Sequence, residues 1–399
     1  MERKEKYILM YKDQEVLSFL VTFGKCKSID VLEKLEHFDK APYGMKEDTP
    51  QKELNRILFR FFNARCIAQT RCDYEKIIKA TNCKDSFELS FKAHGLSLSN
   101  HFWFKKEDED LSYNDINFFT NKWDDSFARA VLKGDYESLS NVSLNVPDIV
   151  TAGWAVKGWL CEEKPTLYKL GIAEGQSEES ISEVLACRLA KRLFNEDEVV
   201  EYKLEQINGR YASKCQTIIG VDEELVPLSV IIPSNLYKMY TQQVTDRKYS
   251  KQFFEEIAKI GLPGIYQFFV KVMCLKNLCF VNDLHFDNIS VIRNISTGEI
   301  RIAPLIDLGG AYGSGKTGRE FLAKLNKASF FILYYVYGNF DPEWDYSWFD
   351  PTRLEGFEDE IREYLSKSDF YNPELIELII EFYQGQIKSL IAAKTKANK

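Results

Sequence analysis

The chain has 399 residues, 45% of them apolar and 14% aromatic, and a formal net charge of −8. That length exceeds what one hydrophobic core usually serves, so two or three structural units are expected, and the apolar content excludes intrinsic disorder. The acidic balance excludes broad electrostatic capture of nucleic acid, which needs a basic surface to release counterions from phosphate. Arg56, Arg60, Arg65 and Arg71 fall along one predicted helical stretch and read as a solvated face. The opening MERKEKYILMYK is too charged for a signal peptide and no stretch approaches ~18 apolar residues, so a cytoplasmic protein without membrane contact is expected. Nine cysteines form no C-x-x-C pair, and Cys187, Cys215, Cys274 and Cys279 sit in apolar segments, which suits buried, reduced thiols. Four scattered histidines give little support to a zinc site.

In chain order, KYILMYKDQEVLSFLV reads as a β-hairpin turning at Lys12, Asp13 and Gln14, and SIDVLEKLEHF carries helical patterning. Thr49 as cap, Pro50 in the first turn and the stripe Leu54, Ile57, Leu58, Phe61 and Phe62 predict a helix. Residues 94–136 are aromatic and loop-like, and the polar stretch 137–148 marks a boundary. Beyond it come strand-like PTLYKLGI, a helix over 180–194, and the strand-like runs VVEYKLEQ, RYASKCQTIIG and LVPLSVII. From residue 250 helices dominate, interrupted by short β segments at ISVI and IRIAPLID. The expected division is an α/β unit at 1–145, a β-rich nucleotide-binding unit at 146–235 and a helical unit at 236–399. Such a β-rich lobe before a helical lobe is the layout of a two-lobed kinase.

The chemistry is concentrated in FVNDLHFDNISVI and IRIAPLIDLGG. Phosphoryl transfer needs a carboxylate to deprotonate the acceptor hydroxyl and oxygen ligands to hold magnesium against the phosphates. Asp283 and Asn288, five apart in D-L-H-F-D-N, fit a catalytic Asp and a metal-binding Asn, with His285 between them. Asp307, after an apolar strand and before Leu308 and Gly309, fits the second metal ligand. The bland alternative is a turn and a strand end. Lys169 within TLYKLG and Glu183 on the next helix fit the kinase lysine–glutamate pair that serves the α- and β-phosphates. Equally, Ser180 and Glu183 form a capping-box pattern. The loop TAGWAVKG, through Gly153 and Lys157, offers backbone amides and charge to phosphate, and adenine is expected beside Cys215, Gln216 and Ile218.

A competing motif spans 310–317, where GAYGSGKT satisfies G-x-x-x-x-G-K-[ST] after a strand and before a helix. Only 82 residues follow, with no later strand ending in a magnesium-binding Asp, so 310–318 reads instead as a flexible activation-type segment.

Through ILMYKDQEVLSF, HGLSLSNHFWFK, INFFTNKW, TLYKLG with SEVLACRLAKRL, and D-L-H-F-D-N with RIAPLIDLGGAYG, the chain resembles the HipA-like serine/threonine kinases, including relatives from phage and mobile elements. The resemblance implies an α+β, two-lobed protein-kinase-like fold with an extra N-terminal α/β unit. It also implies ATP and Mg2+, a protein substrate with a Ser or Thr hydroxyl, and often an antitoxin partner. Lys169 would bind ATP, Asp283 would be the catalytic Asp, and Asn288 and Asp307 would hold magnesium. Some members carry an autophosphorylated serine before the lysine strand; here Thr151 and Ala152 stand in that neighbourhood. Gln216 replaces the usual acidic residue after the linker cysteine. D-L-H-F-D-N also looks like the catalytic loop of aminoglycoside and choline phosphotransferases, which leaves a small-molecule substrate as the alternative.

Overall fold

The computed structural model describes residues 2–151, 153–171, 178–242, 247–281, 283–314, 320, 322 and 340–397. The chain is α+β and divides into two compact units. Unit 1 comprises Met1–Ala173, Gln216–Leu225 and Arg293–Glu299, and unit 2 the remainder.

Unit 1 is built on an antiparallel sheet of order β3-β2-β1-β4, from β1 (Arg3–Tyr11), β2 (Gln14–Phe23), β3 (Ser28–Lys34) and β4 (Phe102–Lys106). Lys12 takes φ 50° in the tight turn between the first two strands. Strand alternation sorts the side chains onto two faces, and both are covered. Tyr7, Leu9, Phe19 and Val21 pack with Leu54, Leu58 and Phe62 of α1 (Gln51–Asn63) and with Phe87 and Phe91 of α3 (Ser86–Lys92), which follows α2 (Tyr74–Ala80). Ile8, Met10 and Trp103 face the opposite way, onto Leu96, Leu98, Tyr113 and Ile116. Ring centroids of Phe91 and Phe104 stand 4.5 Å apart and those of Phe62 and Phe104 4.8 Å, the tilted contacts that aromatic quadrupoles favour.

Four local expectations are corrected here. SIDVLEK is strand β3: Ile29 and Val31, two residues apart, are both buried while Leu32 is half exposed, so the period of two prevails over the apparent helical spacing. The aromatic stretch 94–136 holds β4 with α4 (Tyr113–Ile116) and α5 (Ser126–Lys133), because β4 closes the open edge of β1. Thr49 does not cap α1; its Oγ1 accepts from the Lys46 amide, and Pro50 is the cap residue. Nor do the four arginines share a solvated face, since Arg65 and Arg71 are buried.

The first stretch of unit 1 closes with the antiparallel hairpin β5 (Lys157–Leu160) and β6 (Thr166–Lys169), in which Lys157 pairs with Lys169. Gly158 is required where β5 crosses α5: a Cβ there would stand 2.9 Å from the Ala128 Cβ.

Unit 2 opens with α6 (Glu178–Leu193) and the hairpin β7 (Lys203–Ile207) and β8 (Arg210–Gln216), turned by Asn208 and Gly209 at positive φ. After β9 (Glu223–Pro227) come α7 (Leu228–Ile231), α8 (Ser234–Gln242), α9 (Arg247–Ala258) and α10 (Ile265–Cys279). Helix α10 is buried nearly all round, through Phe268, Phe269, Val272, Leu275 and Leu278, and forms the axis of the unit. Beyond it lie a loop, β10 (Ser290–Asn294), β11 (Ile300–Ile302), α11 (Phe357–Leu365) and α12 (Pro373–Ala397). A helix, a hairpin, an axial helix and then a loop and hairpin is the kinase-like order expected from the sequence.

Candidate active site

The loop 283–288 follows α10, whose helix stops at Phe280 in the left-handed conformation. Its residues alternate in burial: Leu284 and Phe286 are buried, while Asp283 and Asp287 are exposed and His285 is half-buried. The main chain is fastened at the Asp283 carbonyl, which accepts from the His285 amide at 3.0 Å and from Asn288 Nδ2 at 2.8 Å. Since the Asn288 amide nitrogen is used there, its oxygen is the end left for a cation. The Leu228 amide donates to the Ile289 carbonyl at 2.8 Å, and Ser229 bonds through its amide to the Phe286 carbonyl and through its hydroxyl to Asp287.

His285 lies between two carboxylates. Its Nδ1 accepts from the Asp287 amide at 3.2 Å, so the neutral ring carries its proton on Nε2, 3.2 Å from Asp283 Oδ1. The hydrogen bond to Asp283 raises the His285 pKa above its ordinary value, against the opposing effect of burial.

Asp307 stands six residues after Arg301 of β11 with φ 58°, an unusual conformation for a non-glycine residue outside a tight turn. Its approach is set by Leu305, whose amide donates to the Glu198 carbonyl at 2.8 Å and whose carbonyl accepts from Val200 at 3.1 Å. The Asp307 amide donates to the Tyr202 hydroxyl at 3.4 Å. Burial pushes the Tyr202 phenol well up, with Cys215, Glu183 and Asp307 adding to the effect. Tyr202 thus lies among three of the predicted site residues. Glu183 is wholly buried on α6 and accepts from the Ser213 hydroxyl of β8. The helix begins upstream at Glu178, so Glu183 is not the capping-box residue that its spacing from Ser180 allowed. Next to it, Ser182 Oγ meets Tyr371 Oη at 3.2 Å, and Tyr371 donates to the Tyr312 carbonyl at 3.1 Å, tying α6 to the segment after Asp307.

The described part of that segment, residues 310–314, is packed and not loose. Ala311–Gly313 is a short 3-10 turn; Ala311, Tyr312 and Ser314 are buried, and Ser314 Oγ donates to the Ala311 carbonyl at 2.8 Å. A Cβ at Gly313 would stand 2.3 Å from Leu322 Cδ1. Gly315, Lys316 and Thr317 lie outside the described residues.

Unit 1 carries the remaining predicted residues. Lys157 and Lys169 are cross-strand partners and therefore share a face of their hairpin. Gly153 has φ 93°, and a Cβ on it would stand 2.8 Å from Lys157 Nζ, so the ammonium folds over the loop. Ala152 lies outside the described residues. The loop starts at Thr151, whose Oγ1 accepts from Arg71 at 3.1 Å and donates to the Asp148 carbonyl at 2.8 Å. Of the residues expected near adenine, Cys215 is buried at the end of β8 in unit 2, whereas Gln216 is exposed and Ile218 half-buried in unit 1.

Asp283, His285 and Asn288 are therefore brought together in one loop, and Gly153 meets Lys157, the first residue of β5. Tyr202, Ser213 and Arg71, which hold predicted residues in place, were missed from the sequence. Only the strand-like segments around Tyr202 and Ser213 hinted that these side chains would face inward.

No protein-family model and no curated protein matches the chain. Solved structures similar to it include the following two. One is the Helicobacter pylori proinflammatory kinase CtkA, 14% identical with a TM-score of 0.43, the match covering 62% of this chain and 92% of that one. The other is HipA of Shewanella oneidensis MR-1, in its complex with HipB and operator DNA. It is 10% identical with a TM-score of 0.49, over 98% of this chain and 99% of that one. Among the described residues no helix is long and apolar enough to cross a membrane.

Proposed function

We propose that this chain is a HipA-like, ATP-dependent phosphotransferase acting on a Ser or Thr hydroxyl of a protein. The observation that carries the reading is the 283–288 loop: the Asp283 carboxylate is exposed while the carbonyl of the same residue is pinned by His285 and Asn288. A general base must present a free carboxylate oxygen from a fixed main chain. The His285 Nε2–H orients Oδ1, which leaves Oδ2 to take the acceptor's proton.

The donor set fits magnesium, a hard cation that prefers oxygen ligands; Asn288 Oδ1 and the Asp307 carboxylate would hold it. Bound magnesium would offset charge on the phosphates. Gly153 fits phosphate, because the volume a Cβ would fill is left to Lys157 Nζ and a ligand. Lys169, on the same face as Lys157, would bind the α- and β-phosphates, with Glu183 as its kinase-type counterpart. Cys215, Gln216 and Ile218 would flank adenine. A partner protein of antitoxin type belongs to the same reading, as does a cytoplasmic setting.

The test is transfer of labelled γ-phosphate with magnesium, by wild type, Asp283→Ala and Lys316→Ala, alone and with cell lysate. Label on protein that needs Asp283 but not Lys316 supports the reading. Consumption of ATP with label only on small molecules would move the substrate to the aminoglycoside or choline type. Dependence on Lys316 alone would transfer the activity to the 310–317 motif.

A further inference from the structure

The exposed half of the 283–288 loop is ordered through its buried half, and one side chain grips both inward residues of that half. Tyr240, on α8, is fully buried and donates its hydroxyl hydrogen to the Leu284 carbonyl at 2.6 Å. Its ring stacks on Phe286 with centroids 4.6 Å apart and planes 28° apart. Leu284 and Phe286 are the two inward residues of the loop, alternating with Asp283, His285 and Asp287 on the outside. One side chain thus holds one inward residue by its main chain and the other by its ring.

The neighbouring rings, Phe253 and Phe269, are phenylalanines. A hydroxyl in such a cluster is costly unless it finds an acceptor. Leu284 supplies that acceptor from a loop carbonyl that belongs to no helix or strand. Lys276 of α10 adds to the arrangement: its ammonium stands 4.6 Å from the Tyr240 ring centroid. A cation on the ring face draws electron density from the phenol and makes its hydrogen a better donor.

We infer that Tyr240 is a positioning residue for Asp283: hydroxyl and ring together fix the loop so that the carboxylate meets an acceptor hydroxyl in one orientation. The catalytic part of this inference rests on the phosphotransferase reading; the structural part stands by itself.

The experiment compares wild type, Tyr240→Phe and Tyr240→Leu in two measurements. Amide hydrogen exchange over 283–289 is expected to quicken at least tenfold in Tyr240→Phe, and further in Tyr240→Leu, with the core of α10 unchanged. In phosphate transfer, kcat should fall about tenfold in Tyr240→Phe while KM for ATP stays within about twofold, since positioning for chemistry is lost and nucleotide binding is not. Wild-type exchange rates in Tyr240→Phe would overturn the inference, whatever the activity. Quickened exchange with unchanged kcat would overturn its catalytic half. A wild type that transfers no phosphate would instead overturn the phosphotransferase reading, and the exchange result would still decide whether Tyr240 holds the loop.

Discussion

Arg71 grips Asp73 through two parallel hydrogen bonds, Nε to Oδ1 at 2.6 Å and Nη2 to Oδ2 at 3.0 Å, with both side chains buried. The same guanidinium reaches Thr151 Oγ1 and, at 3.3 Å, the Lys157 carbonyl. Besides Arg71, the Asp73 carboxylate is met by the Tyr136 hydroxyl, at 3.1 Å. Arg71→Met leaves a buried carboxylate without its counter-charge and is expected to cost about 3–5 kcal/mol in urea denaturation. Arg71→Met with Asp73→Leu should recover much of that loss, because desolvated charge is then absent. A double variant as unstable as the single one would show that the pair matters through shape and not through charge.

Asp148 titrates in an unusual range. Its Oδ1 accepts from the Trp159 amide at 2.8 Å, its Oδ2 is buried without a partner, and burial pushes its pKa up to about 7. The folded state therefore holds a proton that the unfolded chain gives up near its ordinary 3.8, and stability must fall as pH rises between those values. Asp148→Asn removes the titration. Its melting temperature relative to wild type should climb from pH 4 to pH 8, and a difference that stays flat would contradict the assignment.

Lys276 shows the opposite sign. Burial pulls its pKa down to about 8 from 10.5, so folding opposes the charged amine below pH 8, and that penalty fades as pH rises towards 10.5. Lys276→Met is expected to raise stability at pH 7 by roughly 1–3 kcal/mol, reduced by the lost contact with Tyr240. The gain should shrink above pH 8. Melting curves at pH 7 and pH 10 distinguish this from a packing effect, which would persist at both.

Gly153→Ala tests the proposed phosphate loop directly. Alanine at φ 93° is strained, and its methyl would stand 2.8 Å from Lys157 Nζ. We expect ATP affinity, measured by calorimetry, to fall about tenfold with melting shifted by only a few degrees, since the loop lies at the surface. Unchanged affinity would remove this loop from the nucleotide site.

The patterns that were legible from sequence were local ones. Asp283 and Asn288 could be paired because their spacing closes a single loop, and the stripe of α1 could be read because Leu54, Leu58 and Phe62 repeat at helical intervals. Ile29 and Val31 misled because three apolar residues within five fit both periods, and only pairing with β2 decides between them. Arg71, Ser213, Tyr202 and Tyr240 were silent for a different reason. Each acts through a partner 30 or more residues away, at Thr151, Glu183, Asp307 and Leu284, and sequence spacing carries no record of such meetings.

The Asp283 carbonyl, and not its carboxylate, is what Asn288 and the His285 amide hold. Backbone and side chain of one residue are therefore divided between architecture and chemistry. Any amino acid at 283 can supply the carbonyl, so the carboxylate can be deleted with the loop's scaffold in place. On the proposed phosphotransferase reading, a single codon change would then yield an inert but well-formed protein, still able to engage whatever the active form engages. On that reading, Asp283→Ala would be a ready decoy for capturing acceptors, since the protein keeps its form while its transfer is silenced.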